Sequence, residues 1–391
     1  MLCQSSAHSA VRRAGTLPIA LVAFVALGMP DGILGVALPS IRTTFDQPLA
    51  GLGQLFLAGT AGYLAGSAAS GFLTDRFGTG ALLVGSALAS AAAFLAFATA
   101  PAWPLFLAGG LVLGLGGGGI DAGLNSYMAL RHGAASMNLL HACYGIGATI
   151  GPLVLTAVLA AGLSWRLPYA GLLVVQLVLL GVYALTGRAW GGRRPERAVA
   201  AAPVSGRWLL VAASLALFFV YTGIEVAAGQ WSFTFLTTAR AAPTTSAGLA
   251  VSAYWAGLTV SRLGAAAAGR RVGPLPLLHG SVAVVLVALV LFWWSPVPAV
   301  GVAGLVLAGA GLAPIFPALV TLTPRRVGEG VAARVVGLQL GAAGSGASLV
   351  PAGIGVLMQR FGTGLLAPCL IVGALGLAAL HVAATALTRR D

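Results

Sequence analysis

Apolar residues fill the chain in long runs, and short segments that contain polar residues, proline or glycine separate one run from the next. A helix needs about 20 apolar residues to cross roughly 30 Å of hydrocarbon, because each residue adds about 1.5 Å along the axis. Twelve runs reach this length, which predicts an all-α polytopic membrane protein with twelve transmembrane helices. The predicted spans cover residues 17–42, 51–74, 80–99, 104–129, 137–163, 167–187, 208–237, 246–269, 275–295, 299–322, 332–358 and 364–387.

The composition agrees with this class. Of 391 residues, 59% are hydrophobic and 7% are charged, and the mean hydropathy is +0.97, which excludes a water-soluble domain. The 56 glycines let transmembrane helices approach closely. The net charge of +13 does not indicate a nucleic-acid partner, because the arginines are spread over short loops and form no basic domain. We expect the lipid bilayer as a partner and no nucleic acid.

The distribution of arginine predicts the orientation in the membrane. With a cytoplasmic N-terminus, sixteen of the 21 basic residues, all of them arginine, lie in the tails and in loops on the cytoplasmic side, and four lie on the opposite side. The positive-inside rule therefore places both termini in the cytoplasm. The first span is too long for a cleaved signal peptide and is expected to remain as helix one. The predicted location is the bacterial cytoplasmic (inner) membrane.

Three carboxylates interrupt predicted spans, at Asp31, Asp121 and Glu225. A charge near the membrane midplane is costly, so such residues normally face a protein interior or a water-filled path and mark where ions or protons move. This pattern indicates a transporter, with the three acids as candidates for proton coupling. The alternative for each acid is a structural role, in which a neighbouring helix holds it.

The second half of the chain repeats the first. Asp31 and Glu225 lie 194 positions apart, and three pairs of short segments match at similar offsets. The matching pairs are 110–114 with 304–308, 75–78 with 270–273, and 147–152 with 346–351. We therefore predict two pseudo-symmetric six-helix bundles. The predicted domains are a cytoplasmic tail at 1–16, bundles at 17–187 and 207–387, a cytoplasmic linker at 188–206, and a C-terminal tail at 388–391.

Two six-helix halves joined by a basic cytoplasmic loop resemble the major facilitator superfamily (MFS fold), which implies a substrate site between the halves near the bilayer centre. The loop after helix two looks like the family signature G-x-x-x-D-R-x-G. The matching residues are Gly71, Asp75, Arg76 and Gly78. The resemblance implies that this loop gates the protein by latching one half against the other, whereas a tight turn with a solvated ion pair is the alternative for Asp75. The usual basic residues after the motif are replaced by Thr79 and Gly80, and Arg270 stands where the second half would carry the acid.

Within the superfamily, the acids of helices one and four resemble those of the fucose/proton symporter and related sugar permeases. Asp31 and Asp121 fall on the matching positions, which implies proton coupling and sugar binding there. Asp121 and Asn125 share one helical face, because they lie four residues apart. Helix five adds Asn138, His141 and Tyr144, which we predict to bind substrate. His141 is equally well interpreted as a structural histidine or as a proton relay.

Helix seven also resembles this group of permeases. An acid, an amide and an aromatic side chain suit a polyol, whose hydroxyls need directional hydrogen bonds and whose C–H faces need a flat surface. The further predicted substrate-binding residues are Gln230, Trp231, Tyr254 and Gln339. Simple packing is the alternative for Trp231. Arg262 is predicted about 10 Å from Glu225 along the membrane normal, so no direct pair between them is expected.

The resemblance implies a secondary active transporter that takes up a small polar solute, such as a monosaccharide, with a co-transported proton or sodium ion. A drug/proton antiporter is an alternative, because Gly147, Gly151 and Pro152 match the core of the helix-five motif of exporters. A transporter for lipid headgroups is another. The motifs of hydrolases, metal sites and ATP-binding loops are missing from the sequence, so we expect no enzyme activity, no metal and no cofactor. The family precedent favours a monomer.

Overall fold

The computed structural model describes residues 2–191 and 208–390, apart from the side chains of 2–14, 133–135, 138, 265–270, 330, 333 and 389–390. The described residues form helices and short connections. The helices are α1 (Leu2–Phe45), α2 (Leu49–Phe77), α3 (Thr79–Thr99), α4 (Trp103–Arg131), α5 (Gly133–Ala160), α6 (Leu167–Thr186), α7 (Trp208–Ala239), α8 (Thr244–Val272), α9 (Pro274–Trp294), α10 (Pro298–Leu312), α11 (Ile315–Val327), α12 (Glu329–Phe361) and α13 (Leu366–Arg390). Short 3₁₀ turns follow α6, at Gly187–Trp190, and precede α13, at Thr363–Leu365.

The all-α polytopic fold class is confirmed. In the described part of the chain, ten segments are long and apolar enough to cross a membrane. The helices α2 and α8 have 29 residues each, which is long enough to cross a membrane, and they occupy the remaining two predicted spans. The predicted cytoplasmic linker, at 188–206, lies mostly outside the described residues, so the domain boundaries stay a prediction.

The tenth predicted span, at 299–322, differs from a single helix, because it is broken into α10 and α11 at Ala313–Pro314. Proline has no backbone N–H, and its ring clashes with the carbonyl four residues earlier, which here belongs to Ala310. The hydroxyl of Ser261 on α8 donates a hydrogen bond of 2.7 Å to that carbonyl. The break therefore leaves no unsatisfied acceptor at Ala310.

The described chain packs as two compact units. Unit 1 comprises residues 2–33 and 58–191, and unit 2 comprises residues 34–57 and 208–390. The first two helices therefore contribute to both units.

Glycine allows two close helix pairs within unit 1. A methyl group on Gly147 of α5 would collide with the carbonyl oxygen of Val25 on α1. In the same way, a methyl group on Gly114 of α4 would collide with the carbonyl oxygen of Gly59 on α2. Because the backbones touch at these points, only residues without a Cβ fit there, as is common where transmembrane helices cross.

The same two approaches recur in unit 2 at the positions related by the sequence repeat. Gly346 of α12 meets the carbonyl of Phe219 on α7, and Gly309 of α10 meets the carbonyl of Tyr254 on α8. These four residues follow their counterparts in unit 1 by 194 to 199 positions, as the numbering shows. The internal repeat found in the sequence is thus also a repeat of packing.

Candidate functional site

Asp31 lies in the middle of the apolar span Gly15–Phe45, and its side chain is nevertheless exposed. The hydroxyl of Tyr144 on α5 donates a hydrogen bond to its carboxylate. The close contact between α1 and α5 brings these residues together, because Gly28 lies directly against the backbone of Tyr144. The pair is therefore a consequence of glycine packing.

A second pair of the same kind joins α2 to α4. The hydroxyl of Tyr63 donates a hydrogen bond of 2.5 Å to Oδ2 of Asp121. The amide of Asn125 donates hydrogen bonds to Oδ1 of Asp121 at 2.8 Å and to its backbone carbonyl at 2.9 Å. Gly118 allows this arrangement, since a methyl group there would collide with the carbonyl of Tyr63. The prediction that Asp121 and Asn125 share a helix face is borne out by this contact.

The two pairs form one polar cluster in unit 1. Asp31 interacts electrostatically with Tyr63, and Asp121 interacts with both Tyr144 and His141. The ring of His141 also packs edge-on against Phe24, with 5.8 Å between the centroids. We call Asp31, Tyr63, Asp121, Asn125, His141 and Tyr144 the N-terminal acid cluster. The side chain of Asn138 lies outside the described residues, so its predicted place in this cluster stays a prediction.

Glu225 in unit 2 has a cationic partner. The guanidinium of Arg262 lies 3.5 Å from its carboxylate, and the hydroxyl of Tyr221 donates a hydrogen bond to the same oxygen. The hydroxyl of Tyr254 donates a hydrogen bond of 2.8 Å to the backbone carbonyl of Glu225. The expectation of no direct pair with Arg262 is therefore wrong. Counting residues along the helix axes ignored the long arginine side chain, which reaches well beyond its own Cα.

Three other predicted substrate residues lie buried in unit 2. Trp231 is fully buried, and its indole N–H donates a hydrogen bond of 2.9 Å to the carbonyl of Pro351. Gln339 is also fully buried, and it is hydrogen-bonded to Ser214 and Thr323. Gln230 is 4% exposed. A role for these residues in substrate binding stays a prediction, and each would need a change of conformation to meet a solute.

The predicted gating loop lies at the C-terminal end of α2. Gly71 lies within α2, and both Asp75 and Arg76 are exposed at its end. The guanidinium of Arg76 lies over the ring of Phe77, 5.4 Å from the centroid. Gly78 has a φ of +87°, a conformation that side chains with a Cβ rarely adopt. The last glycine of the motif is thus required by backbone geometry, and the gating role stays a prediction.

Tyr63 and Tyr221 were missed as acid partners in the sequence. Tyr221 lies four residues before Glu225 on α7, so helical spacing alone was a sufficient signal. Tyr63 lies 58 positions before Asp121, and no local pattern connects them.

The arrangement has a clear chemical capacity. The hydrogen bonds described for Asp31 and Asp121 come from uncharged phenol and amide donors, and Asp121 also interacts with His141, so each carboxylate keeps the capacity to accept a proton. Glu225 is held by a guanidinium, so a proton or a solute that binds it must compete with Arg262. Among the described residues, no group of three or more histidine, cysteine, aspartate or glutamate side chains is placed to hold a metal ion.

A helical membrane protein of two repeated units, with acids held inside its spans, has the features of a membrane transporter. The profile of the Major Facilitator Superfamily matches residues 20–351, and the chain belongs to that superfamily.

Two solved structures illustrate the shared fold. The D-xylose–proton symporter superposes with a TM-score of 0.71 at 14% identity, covering 93% of this chain and 96% of that one. A nucleoside transporter superposes with a TM-score of 0.72 at 15% identity, covering 94% and 98%. At these identities the likeness establishes the fold.

The relatives found by sequence match only part of this chain, and only part of their own length is covered. The tetracycline resistance protein, class C, of Escherichia coli is 32% identical over 174 residues, covering 41% of this chain and 43% of the relative. The sodium-dependent glucose transporter 1A of Mus musculus is 25% identical over 259 residues, covering 55% and 60%. The matched parts span only about half the length of the curated relatives, from 43% to 60%.

Proposed function

We propose that this protein takes up a small polar solute, such as a monosaccharide, together with a proton by alternating access. The observation that carries the proposal is the N-terminal acid cluster, in which two carboxylates deep in the membrane spans have uncharged hydrogen-bond donors. An acid with a permanent cationic partner stays ionised, whereas an acid held by phenols can lose its charge by taking up a proton. The structures of sugar and nucleoside transporters with the same fold support the substrate class.

In this proposal Asp31 and Asp121 carry the proton. Loss of the negative charge lowers the cost of moving through the occluded state, so protonation permits the conformational change. Asn125, His141 and Tyr144 hydrogen-bond the solute from the same cluster, and Asn138 is proposed to join them.

Glu225 is proposed to share in the coupling through its contact with Arg262. Protonation of Glu225 would release the arginine, and the freed guanidinium would bind a polar group of the solute. Tyr254 fixes the backbone of Glu225, and Gln230, Trp231 and Gln339 are proposed to enter the site when the helices of unit 2 move.

The location and orientation of the protein in the membrane are part of the proposed function. We place it as a monomer in the bacterial cytoplasmic membrane, with both termini in the cytoplasm. The bundles at 17–187 and 207–387 are joined by the linker at 188–206, and the loop with Asp75 and Arg76 acts as the gate. Labelling of single cysteines introduced in the loops, with a reagent that does not cross membranes, would test this orientation.

The decisive experiment measures solute-driven proton uptake in proteoliposomes. We expect Asp31→Asn and Asp121→Asn to abolish proton uptake while the protein remains folded. Asp46→Asn is the matched control, because Asp46 is exposed outside the span and has a φ of +49°, which asparagine tolerates. Unchanged coupling in both variants would remove these acids from the proton path.

A drug/proton antiporter is the second candidate, and the relative that confers tetracycline resistance favours it. Extrusion of a lipophilic cationic dye from vesicles, compared with accumulation of radiolabelled monosaccharides, separates the two. The identity of the coupling ion requires a separate measurement, because one relative is a sodium-dependent glucose transporter. Replacing sodium by choline at constant pH should leave uptake unchanged if a proton is the coupling ion.

A further inference from the structure

Two histidines and an arginine converge at one end of unit 2, on helices that carry none of the acids described above. The rings of His279 on α9 and His381 on α13 lie 4.7 Å apart at their centroids and meet edge to face. Arg326, at the end of α11, interacts electrostatically with His381. We call His279, Arg326 and His381 the basic cluster.

The inner part of the basic cluster is enclosed by protein. His381 is 2% exposed and Arg326 is 3% exposed. Neither ring nitrogen of His381 has a hydrogen-bond partner among the described residues. A buried polar side chain without a partner is unfavourable and rare, so this position calls for a function or a ligand.

The outer part of the basic cluster is accessible. His279 is exposed on α9, five residues after the helix begins at Pro274. At about 1.5 Å per residue, this places it within about 8 Å of the end of the span, near the depth of lipid headgroups. A ligand at the membrane surface would therefore meet His279 first, and the ring of His381 lies 4.7 Å from that of His279.

Among the residues that the structure describes, the titratable groups that interact with His381 are His279 and Arg326, and both are basic. The first half of the chain lacks these histidines at the positions related by the internal repeat. Val84 corresponds to His279 at an offset of 195, and Val182 corresponds to His381 at an offset of 199. Arg131 stands at the position of Arg326. The second half thus adds two imidazoles beside an arginine that both halves carry.

We propose that the basic cluster binds a phosphate-type oxyanion, either free phosphate or the phosphate of an anionic lipid headgroup. The guanidinium presents paired N–H donors that match phosphate oxygens, and imidazole N–H groups complete the donor set. A transition metal fits less well, because the arginine repels a cation. Basic recesses between transmembrane helices near the membrane surface are a known form of headgroup site.

The test uses the full-length protein in detergent and measures its thermal unfolding temperature. Inorganic phosphate is titrated against chloride at equal ionic strength, and in a second arm phosphatidylglycerol is compared with phosphatidylcholine. We expect a saturable rise of about 2 °C or more at ligand concentrations near ten times the dissociation constant. The rise should disappear in His381→Phe and in Arg326→Gln.

Arg325→Gln is the matched control, because Arg325 is the exposed neighbour of Arg326 on the same helix end. This substitution removes one positive charge from the same helix end without changing the basic cluster, so the thermal response of the variant to the anions should equal that of the wild type. A response to phosphatidylglycerol alone assigns the site to a lipid headgroup, and a response to phosphate alone assigns it to the soluble anion.

Three results overturn the proposal. The first is no response of the wild-type protein to either anion, a result that stands even if the variants do not fold. The second is an equal loss of response in Arg325→Gln, which would mean general attraction to a basic surface. The third is stabilisation by Zn²⁺ but not by phosphate. Because no transport is measured, failure here leaves the proposed function untouched.

Discussion

The hydroxyl of Tyr63 on α2 donates a hydrogen bond of 2.5 Å to the carboxylate of Asp121 on α4. This contact joins two helices across a glycine-mediated interface and holds an acid in the middle of unit 1. The hydroxyl has a role separate from that of the ring, because phenylalanine would fill almost the same volume without donating this hydrogen bond.

We expect Tyr63→Phe to fold normally and to lower the rate of proton-coupled transport about tenfold. A hydrogen bond to a charged group contributes about 1.5–3 kcal/mol, which corresponds to a factor of ten or more. Counterflow of labelled solute and solute-driven proton uptake should be measured in the same vesicles. Tyr183→Phe is the control, because the buried hydroxyl of Tyr183 has no hydrogen-bond partner among the described residues. Equal effects of the two substitutions would argue against a role for the Tyr63 contact.

The pair of Glu225 and Arg262 predicts strong coupling between two substitutions. Loss of one partner leaves a partly buried charge uncompensated, so Arg262→Gln should lower the free energy of unfolding by about 1–3 kcal/mol, between the values for exposed and fully buried pairs. The double variant with Glu225→Gln should recover most of that loss. Thermal unfolding in detergent measures all four proteins of the cycle. Additive effects would mean that the two side chains do not interact.

The contact between α1 and α5 predicts intolerance to a single methyl group. Gly147→Ala would push the new Cβ into the carbonyl of Val25, and we expect a loss of stability of about 1–3 kcal/mol. Gly171→Ala on α6 is the control, because nothing lies within 4 Å of its added Cβ. Melting temperature and the yield of monodisperse protein report the difference. A tolerated Gly147→Ala would show that the two helices can separate at no cost.

Two glycines of the loop motif should behave differently. Gly78 has a φ of +87°, so Gly78→Ala forces a strained backbone that costs about 1–3 kcal/mol. Gly71 lies within α2 with nothing within 4 Å of an added Cβ, and Gly71→Ala should leave stability unchanged or slightly improved. If Gly71→Ala lowers transport without lowering the melting temperature, it acts on gating rather than on folding.

Much of the fold was predictable because a membrane constrains the sequence strongly. Apolar length predicted the twelve spans, and the repeat predicted which helices correspond, down to the glycines at the contacts of α1 with α5 and α7 with α12. Pro314 was visible in the sequence, but apolar length alone did not predict that it breaks the tenth span. Pro314 interrupts the helix, and Ser261 on a neighbouring helix supplies the hydrogen bond that the freed carbonyl of Ala310 needs.

The sequence by itself determined the class of protein, the number of spans and the three acids that lie within them, since the cost of burying a charge in hydrocarbon makes each acid conspicuous. Only the tertiary structure decided which side chain of another helix meets each acid: a phenol for Asp31 and Asp121, and an arginine for Glu225. The physical reason is that these partners come from other helices, at sequence separations that no local periodicity encodes. The approach of two backbones and the reach of one long side chain set those contacts.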